Sequence, residues 1–474
     1  MTIFKSLVKN TFARTMTELI NRFGAAIFWV LVARQLGASA LGALAFAMSL
    51  FSFFLTVSTL GLGSVVIRDV ARDRKKAGAY FGQTILFGSG SAFVLALVMI
   101  LVALFIKPNP KTILAAAIMA AAIVPASWFY WSKSLLSAME NMQHIAIARF
   151  GENLFKVVVG ISLLFFGGGV LMMAMVIALS KLVSAVIAFV LASRLARPEF
   201  KIRRDILAHL YHLTPSFSMI ALFNSLFWAA PVIILTRFGG ESQAGLYSAA
   251  YKLVDMVVTF AHAYGQALFP IASRTARQDA AAFRTLFLKS IKYVSILTLA
   301  VAAGISVLST EIVAVIYGAD MAEVAGVLRV LIWMSAPFAI VPILAYSLMS
   351  HNRQISDLIG NIAAAGTVIL LGVFCSASFG ALGMAWSVVA ACVVFWSVEF
   401  FSVQRDVLSF SFGEQVWRPA LGALLLAGLL TALRGSNLFL EVGLSGVGYI
   451  TFLILSRTIT KNEWKMVKQL KSAQ

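Results

Sequence analysis

The first side chains with possible chemistry lie along an apolar stretch near the N-terminus. Arg14, Glu18 and Arg22 follow i, i+4, i+8 spacing and share one face of a helix, with Asn21 beside them. An unpaired charge at the bilayer centre costs about 3 kcal/mol, so such residues usually line a wet cavity or pair with each other. Because arginine offers a planar bidentate fork to phosphate, we predict a cationic wall that binds a pyrophosphate, with Arg22 deepest. An interfacial ion-pair ladder is the alternative.

A second charged group is divided between two later apolar stretches. Arg149, Glu152 and Lys156 share a helix face at i, i+3, i+7 spacing, and Glu152 and Lys156 are placed to pair. This face is consistent with either cavity lining or structural pairing. Lys181 has no carboxylate within one turn of its own helix, so it needs solvent, a ligand or a partner from another helix. We predict that Lys156 and Lys181 bind substrate and that Glu152 is their ion-pair or coupling partner.

A polar stripe at helical spacing passes through a third apolar stretch. It consists of Lys252, Asp255, Thr259, His262 and Gln266. This stripe is the strongest single indication of a water-filled lumen. In the functional interpretation Lys252 contacts substrate, while Asp255 or His262 takes a coupling ion or proton. In the structural interpretation Lys252 bridges to Asp255 and His262 makes an interhelical hydrogen bond.

Other ionisable and aromatic residues lie near predicted helix ends. Glu140 and Glu399 are close to cytoplasmic ends, and Lys133 lies one to two turns inside, which favours surface anchoring or packing. The aromatic run at 128–131 has the side chains to stack on sugars, but an ordinary lipid-facing or core cluster is favoured.

Membrane-spanning helices must position these side chains. The 474 residues are 61% hydrophobic and 12% charged, with a mean hydropathy of +0.92, so water is not the main solvent. A helix needs about 20 apolar residues to cross the hydrocarbon core, and apolar segments between charged or Gly/Pro breaks predict about fourteen spans. They cover roughly 12–34, 42–66, 82–106, 112–136, 149–167, 169–193, 213–236, 245–270, 293–316, 325–349, 357–376, 381–402, 416–434 and 438–456.

The positive charges follow the loops between these spans. With both termini in the cytoplasm, most of the 38 Lys and Arg residues lie in cytoplasmic segments. The outward-facing residues are Arg34, Lys107, Lys111, Arg237 and Arg434. This asymmetry satisfies the positive-inside rule, and it accounts for the net charge of +19 without a nucleic-acid partner. We therefore expect a multi-pass protein of the inner (cytoplasmic) membrane.

The second half of the chain repeats the first. Residues 31–50 align without gaps to 234–253, and residues from 169 match those from 380. Since six spans separate equivalent helices, the copies have the same orientation and imply a pseudo-twofold axis along the membrane normal. The predicted fold is all-α, with two pseudosymmetric six-helix bundles around a central cavity and two extra C-terminal helices. The corresponding segments are 1–193, a linker at 194–212, 213–403, 404–456 and a basic tail at 457–474.

The residues from Ala33 to Arg72 resemble the opening helices of the polysaccharide transporter family. That family contains the Wzx-type oligosaccharide flippases and lies in the multidrug/oligosaccharidyl-lipid/polysaccharide (MOP) exporter superfamily. The shared features are an R-x-L-G turn at 34–37, Gly42 at the start of the second helix and G-L-G-x-x-x-x-R at 61–68. Residues 136–170 are similar to the family's fourth and fifth helices.

This resemblance, which covers spans 1 to 12, implies a flippase working by alternating access. Its cargo would be undecaprenyl-pyrophosphate-linked oligosaccharide for O-antigen, capsule or exopolysaccharide. Its partners would be membrane lipids and the polysaccharide polymerase machinery. An Arg-Asp pair expected in the first helix of lipid II flippases falls near Phe28 and Trp29, which argues against a peptidoglycan precursor. The alternative function is an ion-coupled multidrug or metabolite antiporter, but a slightly positive lumen favours an anionic headgroup.

Motifs of soluble catalysis are missing from the sequence. It contains no GxxxxGK[ST], HExxH or GxSxG, and every predicted outward loop is short. Cys375 and Cys392 lie in apolar stretches without metal-ligand spacing. We therefore expect a transporter and not an enzyme, with no metal and no cofactor, and with H⁺ or Na⁺ coupling left open.

Overall fold

The computed structural model describes residues 2–106, 108–201, 203, 215–351, 353–435 and 437–458. The side chains of 2–23, 215–217, 262, 266, 267, 270, 276 and 277 are outside this description. The helices are α1 (Thr2–Thr59), α2 (Gly63–Arg72), α3 (Ala77–Ile106), α4 (Pro110–Ala121), α5 (Ile123–Ala138), α6 (Met142–Phe165), α7 (Val170–Leu195), α8 (Pro215–Phe238), α9 (Gly240–Gln278), α10 (Ala280–Val307), α11 (Ser309–Tyr317), α12 (Val324–Leu331), α13 (Ser335–Ser350), α14 (Gln354–Asp406), α15 (Phe412–Ala432) and α16 (Leu438–Leu455).

These helices confirm the prediction of an all-helical, polytopic membrane protein with about fourteen spans. Within the described ranges, ten helical segments are long and apolar enough to cross a membrane, with mean hydropathies from 1.2 to 2.7. Two of them, Gly24–Thr59 and Gln354–Asp406, each cover two predicted spans. The more polar helices α6 and α9 account for the remaining two predicted spans.

Glycines break the helices where the sequence repeat places its turns. Gly37 interrupts α1 with φ 77°, and its repeat equivalent Gly240 begins α9 with φ 84°. Gly380 interrupts α14 with φ 55°. Residues with a Cβ atom rarely adopt this left-handed backbone conformation, whereas glycine adopts it readily. The glycines therefore let the chain reverse direction between successive spans. The R-x-L-G element is therefore a turn, as the sequence predicts.

Two glycines from the two copies of the repeat lie at one helix crossing. A Cβ on Gly42 would overlap the backbone carbonyl of Glu241, and a Cβ on Gly245 would overlap the carbonyl of Ala38. The second half of α1 and the start of α9 therefore approach backbone to backbone, as small residues permit between helices in membranes.

The Glu241 carboxylate holds this crossing to a neighbouring loop. Its Oε1 accepts hydrogen bonds from Asn109 N at 3.0 Å and from Thr112 Oγ1 at 2.5 Å. Its Oε2 accepts one from Ser39 Oγ at 3.4 Å. One carboxylate thus connects α9, the start of α4 and the turn region of α1.

The chain divides into two compact units. The first contains Met1–Ala249 and Ile369–Met384, and the second contains Ala250–Val368 and Ala385–Gln474. In the first, α3, α5 and α7 pack around an apolar core that includes Phe81 and Trp131. In the second, α10 packs against α15, and Tyr449 of α16 donates its hydroxyl to the carbonyl of Ile296 at 2.7 Å. The domain boundaries derived from the sequence stay a prediction.

Candidate functional site

Four helices of the first unit enclose a charged cavity of about 390 Å³. Helix α1 contributes apolar side chains, α5 contributes aromatic side chains and one lysine, and α6 and α7 contribute most of the charge. The lining residues are Phe51, Leu55, Ala126, Phe129, Tyr130, Lys133, Arg149, Glu152, Asn153, Lys181 and Ser184. A volume of this size lies near the lower end of the range for small-molecule sites, about 300–1,000 Å³.

An ion pair between two helices lies in the cavity wall. Lys181 Nζ on α7 is 2.5 Å from Glu152 Oε1 on α6, and both side chains are largely buried. The Lys181 ammonium also lies 5.9 Å from the centre of the Phe51 ring. The sequence predicted that Lys181 needs a partner from another helix, and the structure gives it the conceivable partner Glu152.

Lys133 and Arg149 add two further cations to the same wall. They interact with each other electrostatically as like charges, Lys133 from α5 and Arg149 from α6. Among the described residues, no carboxylate forms an ion pair with Lys133. Sequence reasoning assigned Lys133 to anchoring or packing, although it lies one turn after Phe129 and Tyr130 on the same helix face. The position of Lys133 on the same face as these two aromatic residues would have identified it as a cavity residue.

Lys156 lies beside the cavity and not in its lining. Its Nζ donates to Asn153 Oδ1 at 2.8 Å, and its charge acts on Glu152. The predicted face of α6 therefore places Glu152 and Asn153 in the cavity lining. Lys156 is outside the lining and interacts with these two residues.

The aromatic run at 128–131 divides between the cavity and the core. Phe129 and Tyr130 line the cavity. The Tyr130 hydroxyl accepts a hydrogen bond from Gly63 N at 3.2 Å, so the second glycine of G-L-G packs against this ring. Trp131 is 3% exposed and packs against Gly88. Only one face of α5 is therefore available to a ligand.

The other predicted site residues lie elsewhere or outside the description. Lys252 and Asp255 belong to the second unit, where they interact along α9 and where Tyr251 donates its hydroxyl to Asp255 Oδ1 at 3.4 Å. The side chains outside the described residues are those of Arg14, Glu18, Asn21, Arg22 and His262.

The charges of the cavity suit an anion. Among the described lining residues, Lys133, Arg149 and Lys181 accompany one carboxylate, Glu152, so this part of the lining carries excess positive charge. A planar guanidinium can bind two phosphate oxygens at once, while each ammonium contributes a point charge. The apolar side of the cavity, with Phe51 and Phe129, suits the less polar face of a sugar or lipid.

The sequence and the fold both have known relatives. The sequence model of the family described as "Polysaccharide biosynthesis protein" matches residues 31–325. A probable low-salt glycan biosynthesis flippase, Agl15 of Haloferax volcanii, is 22% identical over 296 residues, which are 59% of this chain and 60% of the relative. The matched region therefore spans less than two thirds of that relative's length.

Among solved structures, the lipid II flippase MurJ in an inward closed conformation has a TM-score of 0.81 at 15% identity, covering 95% of this chain and 100% of that one. An inward-facing multidrug resistance transporter of the MATE family has a TM-score of 0.67 at 15% identity, covering 80% of this chain and 93% of that one. These identities establish a shared fold. Since the family match covers more than half of the chain, this protein belongs to the polysaccharide biosynthesis protein family, and its fold is that of MOP-superfamily transporters.

Proposed function

We propose that this protein is a flippase that moves undecaprenyl-pyrophosphate-linked oligosaccharides across the cytoplasmic membrane for surface polysaccharide synthesis. The main observation that supports this proposal is the cationic cavity of the first unit. The chain's membership of the polysaccharide biosynthesis protein family and its MOP-transporter fold support it further. The pyrophosphate and adjoining sugar enter the cavity, while the polyprenyl tail remains in the hydrocarbon region. Alternating access then exposes the cavity to one side of the membrane at a time.

The diphosphate is the part of the cargo that this cavity recognises. Arg149 binds one phosphate through its guanidinium fork, and Lys133 and Lys181 contact the remaining oxygens. A drug cation would be repelled by the same charges. The positive charge of the cavity lining therefore favours a flippase over an exporter of cationic drugs.

The sugar next to the diphosphate occupies the aromatic side of the cavity. Phe129 and Tyr130 offer flat surfaces for the apolar face of a pyranose ring. Because the cavity holds about 390 Å³, it accommodates the headgroup region and not a whole oligosaccharide. The distal sugars extend into solvent, so one cavity can serve repeat units of different composition.

The orientation follows from the distribution of basic residues. We place both termini in the cytoplasm, since the positive-inside rule acts on short loops such as the one carrying Arg72, Arg74 and Lys75. Substrate then enters from the leaflet where lipid-linked sugars are assembled.

The function is tested by deleting the gene in its host and measuring polyprenyl-linked oligosaccharides by mass spectrometry. We expect undecaprenyl-pyrophosphate repeat units to accumulate and surface polymer to disappear. Complementation compares the wild type with the cavity variant Lys133→Ala/Arg149→Ala. The control is Arg72→Ala/Lys75→Ala, which removes the same charge from an exposed surface.

The two double variants should give clearly different results in the complementation assay. Each charge-assisted hydrogen bond contributes about 1.5–3 kcal/mol, so losing two weakens cargo binding at least about a hundredfold. The cavity variant should reach the membrane without restoring polymer, whereas the surface control should restore it. Unchanged glycolipids together with greater sensitivity to cationic dyes would instead indicate the antiporter.

A further inference from the structure

Three buried polar side chains lie near the two ends of α14. Asp357 and Asn361 are one turn apart at its start, and Glu399 lies two turns before its end. Asp357 is 7% exposed, Asn361 is 3% exposed and Glu399 is fully buried. All three belong to the second unit, and none lines the cavity described above. The kink at Gly380 turns α14 back on itself, so its two arms meet at these residues.

The Glu399 carboxylate lies against the first turns of α14, which carry Asp357, Gly360 and Asn361. Asn361 Nδ2 donates to the carbonyl of Asp357 at 2.9 Å and to its Oδ1 at 3.2 Å. Glu399 Oε1 lies against Gly360, where a Cβ would come within 3.1 Å of it. Within the described part of the chain, no N–H group or hydroxyl donates to either oxygen of Glu399. Glu399 is therefore a fully buried carboxyl group without a hydrogen-bond donor among the described residues.

No counter-ion accompanies this pair. Among the described residues, no Lys, Arg or His forms an ion pair with Asp357 or Glu399. The nearby Arg353 lies 3.9 Å from Asp406 at the exposed end of the arms. From α13, the Tyr346 phenol faces Asp357 and carries no charge. Two buried carboxylates that lie close together without a cation would repel each other strongly if both were ionised, so such an arrangement favours binding one proton.

We propose that Asp357 and Glu399 together bind one exchangeable proton, and that this proton is the coupling ion of transport. The second part of this inference rests on the proposed function. With the proton bound, one carboxyl O–H donates to the other carboxylate and holds the arms of α14 together. When the proton leaves to water, two negative charges face each other and drive the arms apart. Asp357, which is slightly exposed, is the group through which the proton exchanges.

This assignment differs from the one suggested by the sequence. The sequence predicted Glu18, Glu152, Asp255 and His262 as coupling or ion-pair residues and assigned Glu399 to surface anchoring or packing. Asp255, however, interacts with Lys252, which offsets its charge. Among the described residues, no cation pairs with Asp357 or Glu399, so no neighbouring charge offsets the negative charge that appears when a proton leaves them.

Infrared spectroscopy of the purified full-length protein tests the proton site independently of transport. We expect the C=O stretch of a protonated carboxyl group at neutral pH, its loss in Glu399→Gln and in Asp357→Asn, and its retention in the control Glu140→Gln. Glu140 is exposed and lies at a cytoplasmic helix end. A band absent from the wild type, or retained in both variants, would overturn the site. A band removed by sodium at constant pH would also overturn it, because the pair would then take a metal cation.

The coupling role is tested in proteoliposomes that contain undecaprenyl pyrophosphate as the probe and a pH-sensitive dye inside. We expect an imposed pH gradient to accelerate movement of the probe by wild-type protein at least about tenfold, and Glu399→Gln to lose this acceleration. Equal acceleration in the variant would overturn the coupling role. If wild-type protein moves no probe while the infrared result holds, the proposed function fails and the proton site stands.

Discussion

The ion pair between Glu152 and Lys181 can be altered in two ways that separate folding from transport. Lys181→Met removes the cation and leaves the carboxylate buried. The double variant Lys181→Met/Glu152→Gln removes both charges and keeps side chains of similar size. Both variants delete the ammonium that we assign to cargo binding, but only the first leaves an uncompensated charge.

The expected loss of stability follows from burial and from neighbouring charges. Removing one partner of a buried ion pair usually costs about 3–5 kcal/mol. Here the side chains of Lys181 and Glu152 are 23% and 13% exposed. Because Lys156 also acts on Glu152, we expect a smaller loss of about 2 kcal/mol in the single variant. The double variant should return to within about 1 kcal/mol of the wild type.

The assay combines thermal unfolding in detergent with complementation of surface polymer in the deletion strain. A loss of about 2 kcal/mol should lower the apparent Tm by about 2 °C in a chain of this size. The double variant should keep the wild-type Tm, and neither variant should restore polymer. A single variant as stable as the wild type would refute the structural role of the pair. Full complementation by the stable double variant would refute the contact between Lys181 and cargo.

Three further predictions follow from the geometry. Arg149→Lys keeps the charge but loses the planar fork, so we expect about a tenfold weaker affinity for pyrophosphate, measured by calorimetry; unchanged affinity would contradict bidentate binding. Gly42→Ala should cost about 2 kcal/mol through overlap at the helix crossing, whereas Gly90→Ala, which meets open space, should not destabilise the protein in the same Tm assay; similar Tm values would contradict the close crossing. Arg22→Ala/Lys181→Ala should abolish transport while protein remains in the membrane, and wild-type complementation would exclude these cations from the site.

The fold was predictable because apolar length and glycine position act locally. The ten apolar segments follow from composition alone, and the turns at Gly37 and Gly240 follow from a repeated motif. The backbone contact between Gly42 and Gly245 was not predicted, although both glycines were identified. The positions of these glycines indicate that their helices can pack closely against another helix. They do not indicate which helix that is.

The charged cavity was predictable in part. The faces of α6 and α7 follow from helical spacing, so Glu152 and Lys181 were identified, including their possible pairing. The contribution of Lys133 depends on the rotation of α5 about its axis, which is determined by packing against α3 and α7. Glu399 was assigned to surface anchoring or packing because the arm that carries Asp357 is about 40 residues away in sequence and is brought close by the kink in α14. In both cases, the missing information was the arrangement between helices.

Glu152, the carboxylate among the described lining residues of the cavity, would have a role in the proposed flippase that cations alone could not supply. If Lys133, Arg149 and Lys181 all faced an empty cavity, their mutual repulsion would destabilise the fold, and a bound pyrophosphate would be released slowly. Glu152 forms an ion pair with Lys181, and under the proposed function it would neutralise part of this charge without cargo and compete with the diphosphate for Lys181 when cargo binds. Transport requires binding that is selective but reversible, and this exchange of one anionic partner for another provides both. Under the proposed function, the ion pair would therefore belong to the transport site as well as to the fold.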